Sequence, residues 1–546
     1  MTGAATALGS WLLAATLTVP LLFLAACLSA RLRSTALALQ WLAPVPALAA
    51  AILAMGGGPL ALDWPALRMS LKLDLPGALI LAAASLLWIV VGAATFSGEA
   101  RKPNERFAVS WLLTMTGSLG VFVAADLLTF YLVYALVSIP AYELIVRDGS
   151  PSSRRAGGVY MAFTILGGAL LLMAFALLAA GEPRGSLRID DVMAALPGSP
   201  WSDAALALVI AGFGMKMALA PLNGWMPPTY AAAPIPAAAV LSGAAVKAGA
   251  IGLIRFLPFG APLQGWGEAL AIIGFVSAFY GVAIGVTQQN PKTVLAYSSI
   301  SQMGVVAAVI GMALASGDAS APSKVAFYAA NHVLAKGALF LAVGVAAATD
   351  RHRDRWPLIL AAVLALSLAG LPLTGGALAK FALKAPLGYG LAASLANASA
   401  AGTALLMLHF VTRLAGTSSG GEETEGPAAI VRFWPAIAIG AIFIPWLLYP
   451  AIGNPLNTAT VPTVWDGLWP IAIGAALALA LRRWGASLPR IAEGDTIVAV
   501  ETAFNSGFAL GGLLERLDAR LRQWPAASLS LLTIALLLAA MAAYGG

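Results

Sequence analysis

The 546-residue chain is 60% hydrophobic and only 10% charged, with a mean hydropathy of +0.87, whereas soluble domains carry about 25% charged residues. Its 31 Lys+Arg and 24 Asp+Glu are too few to clothe soluble surfaces, which excludes a cytosolic globular enzyme, and a net charge of +7 spread over such a chain is no nucleic-acid footprint. A single cysteine, Cys27, excludes a disulfide framework or a cysteine-ligated metal cluster within the chain.

Apolar runs of the ~20 residues needed to cross a bilayer recur from end to end. In chain order they predict spans at 5–30, 35–55, 74–96, 107–125, 127–146, 157–180, 203–222, 234–256, 266–287, 295–315, 323–348, 357–378, 385–412, 429–449, 466–482 and 525–543. The expected fold class is therefore all-α and polytopic, with about 14–16 transmembrane helices. The first run lacks a basic n-region and continues to Ala30, so it reads as a retained span rather than a cleaved signal peptide.

If the spans alternate, loops on one side hold seventeen of the 31 Lys+Arg and loops on the other hold seven. The rich side is then cytoplasmic and both termini lie outside, in an inner (plasma) membrane. Residues 495–523 fit neither class: Val498, Phe508, Leu513, Leu514, Leu517 and Leu521 alternate with Glu515, Arg516, Asp518, Arg520 and Arg522. That pattern predicts an interfacial amphipathic helix on the cytoplasmic side, either a tether for the last span or an arm that touches a partner. No soluble insert exceeds about 40 residues, so any energy source is another subunit or an ion gradient.

Three further basic residues lie on the amphipathic segment, and four remain: Lys216, Lys247, Lys336 and Lys380, all inside predicted spans. Charges at membrane depth are costly and mark ion pathways or bundle-interior pairs. Lysine can surrender its proton when desolvated, whereas arginine stays charged, so four such lysines form a chain able to titrate. The competing readings are snorkelling to an interface and static ion pairing. Pro221 follows Lys216 within GFGMKMALAPLNGW, and Pro372, Gly375 and Gly376 precede Lys380 in GLPLTGGALAK, so both helices are expected to break. Interrupted spans in corresponding halves point to an inverted-repeat transporter with sites near the midplane, although a bent helix in a packed core gives the same pattern.

His332 precedes Lys336 by one turn and shares its face, which suits a relay or a hydrogen-bonded packing role. His409 reads as packing and His352, within RHRDR, as a loop residue. Asp126 starts the fifth span, Glu143 lies near its end four residues before Arg147, and Tyr297, Ser298, Ser299 and Gln302 make the tenth span polar enough for ordered water or interhelical bonds. No Walker loop, dinucleotide fingerprint, zinc spacing or nucleophile elbow occurs in a fitting context, so neither cofactor nor catalytic chemistry is expected in this chain.

These residues resemble one family: the antiporter-like subunits of respiratory complex I, Mrp-type sodium/proton antiporters and membrane-bound hydrogenases. The segment 216–255, KMALAPLNGWMPPTYAAAPIPAAAVLSGAAVKAGAIGLIR, is similar to that family's pattern of a lysine, P-x-H-x-W-L-P, A-P, K-x-G and an arginine. Also similar are DLLTFYLVY (126–134), NPKTVLAYSSISQMG (290–304), HVLAKGALF (332–340) and SLAGLPLTGGALAK (367–380), so the resemblance spans roughly residues 110–410 in order and spacing. It implies N-terminal helices 1–3 over 1–106, two inverted five-helix repeats over 107–256 and 257–414, and C-terminal helices over 415–546 with a short lateral segment at 495–523. It implies further that Lys216 and Lys380 are the broken-helix lysines, Lys247 the central connecting lysine, and His332 with Lys336 the central relay of the second repeat. The implied partners are other integral membrane subunits, protons and, in the antiporter members, Na+.

One departure stands out. Where the family has Trp-Glu in its fifth span this chain has Tyr134-Ala135, so the acid that faces the first broken-helix lysine is missing. Glu143 lies eight residues on, about 12 Å along a helix and roughly 80° around it. It becomes a displaced acidic partner for Lys216 only if the helix bends at Pro140. Asn223, Tyr230 and Gln302 also stand where histidines are common in the family. The expected function is proton translocation within a multi-subunit energy-coupling complex; the rival readings are a non-conducting scaffold and a stand-alone secondary transporter.

Overall fold

The computed structural model describes residues 3–64, 68–96, 105–349, 355–416 and 428–485, and single positions between 491 and 498. The chain is a multi-pass helical membrane protein: twelve helical segments among the described residues are long and apolar enough to cross a bilayer. Apart from Val498, the expected amphipathic segment 495–523 and span 525–543 lie outside the described residues.

In chain order, α1 (Gly3–Leu28), α2 (Arg33–Leu39), α3 (Val45–Gly57) and α4 (Leu75–Phe96) open the fold. Next come α5 (Glu105–Gly120), α6 (Leu127–Ser138), α7 (Ala141–Ile145), α8 (Pro151–Gly181), α9 (Ile189–Ala195) and α10 (Ser202–Lys216). Short α11 (Met226–Ala232) and α12 (Ile235–Val240) lead through a π-helical turn into α13 (Lys247–Phe256). The remainder comprises α14 (Gln264–Gly285), α15 (Pro291–Ser316), α16 (Ala321–Ala348), α17 (Trp356–Ala369), α18 (Gly375–Leu387), α19 (Leu391–Gly416), α20 (Ala428–Leu448) and α21 (Val461–Trp484).

An antiparallel pair of strands, β1 (Leu60–Trp64) and β2 (Met69–Leu73), departs from the purely helical expectation. Leu60 pairs with Leu73 and Trp64 with Met69. The alternation Met69, Leu71, Leu73, with Leu71 and Leu73 buried, is the period-2 signal of a half-buried strand. The Lys72 amide donates to the Val123 carbonyl at 2.7 Å, which docks the pair on the turn between α5 and α6.

Helix ends follow local chemistry. Asn290 caps α15 by accepting from the Lys292 amide, Pro291 occupies the first turn, and Gly317 closes the far end in the left-handed region. Ser150 caps α8 in the same way, with Pro151 behind it. The segment Ile235–Phe256 is buried apart from Ile235, Pro236 and Arg255, and α15 and α16 are largely buried, whereas α21, α1 and α8 turn most of their surface outward. Lys247, His332 and Lys336 therefore lie on the most enclosed helices rather than at the rim.

Candidate functional site

Lys216 is the last residue of α10, where the chain leaves the helix and stays irregular until α11 starts at Met226. Ala218 in that interruption has φ +57°, and Leu373, between α17 and α18, has φ +65°. Left-handed backbone at non-glycine residues is strained and persists where the surroundings fix it. The Lys216 ammonium donates to the Ser138 hydroxyl at 2.8 Å and stands 5.6 Å from the ring centre of Tyr134 and 5.8 Å from that of Tyr160.

Lys247, fully buried, follows the π-helical turn over Leu241–Ala245. There the Val246 amide reaches back five residues to the Leu241 carbonyl, and the Lys247 ammonium donates to the Ser242 carbonyl at 3.2 Å. Gly243 lets this turn press on α16: a Cβ there would sit 3.1 Å from the Val333 carbonyl oxygen and closer still to Leu87. That contact brings Lys247 within electrostatic reach of His332 and Lys336.

On α16, Tyr328, His332 and Lys336 recur every four residues and share one face. All three are buried, and neither ring nitrogen of His332 meets a hydrogen-bond partner among the described residues. The Lys336 ammonium donates to the Leu295 carbonyl at 2.8 Å, and the Ser299 hydroxyl donates to the same oxygen at 3.1 Å. Ser299 in turn meets the Ser242 hydroxyl at 3.1 Å. Polar contacts thus run from Lys336 by way of the Leu295 carbonyl, Ser299 and Ser242 to Lys247, each ammonium ending on a backbone carbonyl.

Past His332 the polar surface continues: the Tyr328 hydroxyl donates to Gln302 Oε1, whose Nε2 donates to Thr403 at 2.8 Å. These three residues line a cavity of about 680 Å³, together with Lys380. Lys380 donates to the Ala369 carbonyl, the last residue of α17, at 2.5 Å. At the cavity's edge Lys384 and Asp466 form a 2.7 Å ion pair, each about half exposed. Neither the three buried lysines, Lys216, Lys247 and Lys336, nor the half-buried Lys380 forms an ion pair among the described residues.

Other candidates sit elsewhere. Asp126 caps α6, accepting from the Thr129 amide and hydroxyl and from the Ser70 amide, so its oxygens hold the turn together. Tyr297 packs near Tyr280, and the Ser298 hydroxyl is buried without a partner among the described residues. The chain does break at Pro140, and Glu143 on α7 is half-buried, while Lys216 is bonded to Ser138. His409 bonds the Gln288 carbonyl at 2.8 Å, as a packing residue would. Ser138, Tyr160, Ser242, Tyr328 and Thr403 do not stand out in the sequence, because neutral hydroxyls inside apolar helices carry no charge signature. Only the four-residue spacing of Tyr328 from His332 could flag one of them.

Residues 124–409, over half the chain, match the family described as NADH:quinone oxidoreductase/Mrp antiporter, TM. The chain is similar to NADH-quinone oxidoreductase subunit N of Desulforudis audaxviator, 33% identical over 52% of this chain and 60% of that one. It is also similar to a probable K(+)/H(+) antiporter subunit of Rhizobium meliloti, 30% identical over 58% of this chain and 33% of that one. The chain therefore matches less than two thirds of the length of these relatives. Among solved structures, a chain of the Mrp complex from Dietzia sp. shares its fold, with a TM-score of 0.72 at 21% identity over 98% of this chain and 63% of that one. A chain of respiratory complex I from Thermus thermophilus aligns with a TM-score of 0.63 at 25% identity, covering 80% of this chain and all of that one. The buried lysines, the polar contacts between them and these likenesses converge: the chain belongs to the NADH:quinone oxidoreductase/Mrp antiporter transmembrane family.

Proposed function

We propose that this chain is a proton-translocating subunit of a multi-subunit membrane complex, conducting along Lys216, Lys247, His332, Lys336 and Lys380. The observation that carries the reading is a line of bases, buried except for the half-buried Lys380, with no carboxylate partner among the described residues and linked at its centre by Ser242 and Ser299. Buried charge of one sign is costly to hold, so a proton gained at one lysine is repelled by the next and moves on. On this reading the chain lies in a cell's inner membrane with both termini outside, two inverted five-helix repeats each hold one interrupted helix, and neighbouring membrane subunits supply the driving charge change.

The test is proton flux into liposomes carrying the native complex, wild type against Lys247→Ala, with assembly followed on native gels. Flux that collapses while assembly holds supports conduction. Equal flux from both makes the chain a scaffold. Glu143→Gln, measured alongside, asks whether the α7 carboxylate takes part.

A further inference from the structure

Lys216 poses a problem of charge. Its ammonium is shut inside the protein at the end of α10, and no carboxylate bonds to it among the described residues. The nearest hydrogen-bonding group is the neutral Ser138 hydroxyl, and the nearest electron-rich surfaces are the rings of Tyr134 and Tyr160, both inside the ~6 Å range over which an aromatic face attracts a cation.

These three residues are braced as a unit. The Tyr160 hydroxyl donates to the Ser138 carbonyl at 2.8 Å, so α6 and α8 are tied at the residue that holds the ammonium. Tyr160 packs edge-on against Trp225 at 5.5 Å, and Tyr134 against Phe213 at 6.2 Å. The Trp225 indole donates to the Met215 carbonyl at 2.9 Å, next in the chain to Lys216 itself. The space left among Tyr134, Tyr160, Phe163, Trp225 and Lys216 is about 10 Å³, which admits roughly one water.

We propose that Tyr134, Tyr160 and Ser138 form an aromatic and hydroxyl cage that replaces a carboxylate as the partner of the Lys216 ammonium. This rests on the conduction reading above and specifies how its first lysine is held. A carboxylate can exchange a proton with the lysine it faces; two ring faces and a serine hydroxyl hold the ammonium without taking up its proton. Ala135 lies three residues before Ser138, beside it on the helix surface of α6, so a carboxylate placed there would stand next to the hydroxyl that holds the ammonium.

The experiment measures proton flux into liposomes with the assembled complex carrying Tyr134→Leu, Tyr134→Phe, Tyr134→Leu with Ala135→Glu, Glu143→Gln or Lys247→Ala. Tyr134→Leu is expected to lower flux roughly tenfold, the size of one desolvated ring–cation contact. Phenylalanine keeps the ring face and recovers most of the loss, and Ala135→Glu restores flux to the leucine variant by supplying the charge directly. If Tyr134→Leu does not assemble, Tyr160→Leu carries the same comparison. Undiminished flux in the leucine variants, while Lys247→Ala is silent, overturns the cage and leaves conduction standing. Loss of flux in Glu143→Gln as complete as in Tyr134→Leu also overturns it, by making that carboxylate the partner. Wild-type flux in Lys247→Ala removes the conduction reading and the cage with it.

Discussion

At the end of α13 the Arg255 guanidinium ties together two separate segments, the turn between α5 and α6 and the end of β2. It donates to the carbonyls of Ala124, of Phe122 at 2.6 Å and of Lys72 at 3.4 Å, and lies 3.7 Å from the Asp74 carboxylate. A planar fork suits several divergent acceptors in a way a single ammonium does not. Arg255→Met keeps the apolar stem but strands those carbonyls, and the expected loss is about 3 kcal/mol. It should appear as a lower melting temperature of the detergent-solubilised complex, with Arg255→Lys recovering only part; a melt unchanged by methionine would make the contact incidental. Lys247 and Lys336 belong to a different class, since each uses its ammonium on one carbonyl and keeps donors in reserve.

Helix pairs depend on how closely backbones approach. On α14, Gly267, Gly274 and Gly281 face Gly311, Gly304 and Tyr297 of α15, and a Cβ at Gly274 would collide with the Ala308 amide nitrogen. Packing of this kind holds membrane helices together without a hydrophobic drive. Gly274→Val is therefore expected to abolish assembly on native gels, whereas Gly265→Ala, which meets open space, leaves it intact; an assembled valine variant would refute the tight contact. Much of this helical layout is legible in the sequence, because a span's length and apolarity are local properties: α4, α8, α14, α15, α16 and α19 fall where hydropathy puts them. Lys247 and Lys336 can be isolated as intramembrane charges because so few charges exist to subtract. The strands β1 and β2 are harder to read, since the five-residue alternation of β2 is short and sits between stronger apolar runs. Ser138 beside Lys216, and the π-helical turn before Lys247, depend on neighbours brought together only by folding, and no spacing in the chain announces them.

Across the whole molecule the two outer lysines sit in unlike surroundings. Lys216 is enclosed with room for roughly one water, while Lys380 borders about 680 Å³ whose edge carries the exposed Lys384–Asp466 pair. Water access should differ accordingly. In a Cys27→Ser background, Thr403→Cys, on the cavity wall, is expected to react with a water-soluble methanethiosulfonate, and Ser298→Cys, buried in α15, to stay unmodified; mass spectrometry reads both, and an unlabelled Thr403→Cys would mean the cavity is sealed. The strand pair near the start of the chain also sets a timetable. Asp63 on β1 is met by Arg188, 125 residues later, and the Phe122 carbonyl waits for Arg255 across 133 residues. At about 5–20 residues synthesised per second, the first of these partners trails by roughly 6–25 s. The pairing of β1 with β2 can form as soon as both are made, but several hydrophobic segments must enter the bilayer before Arg188 and Arg255 arrive to lock that pair to the rest of the chain.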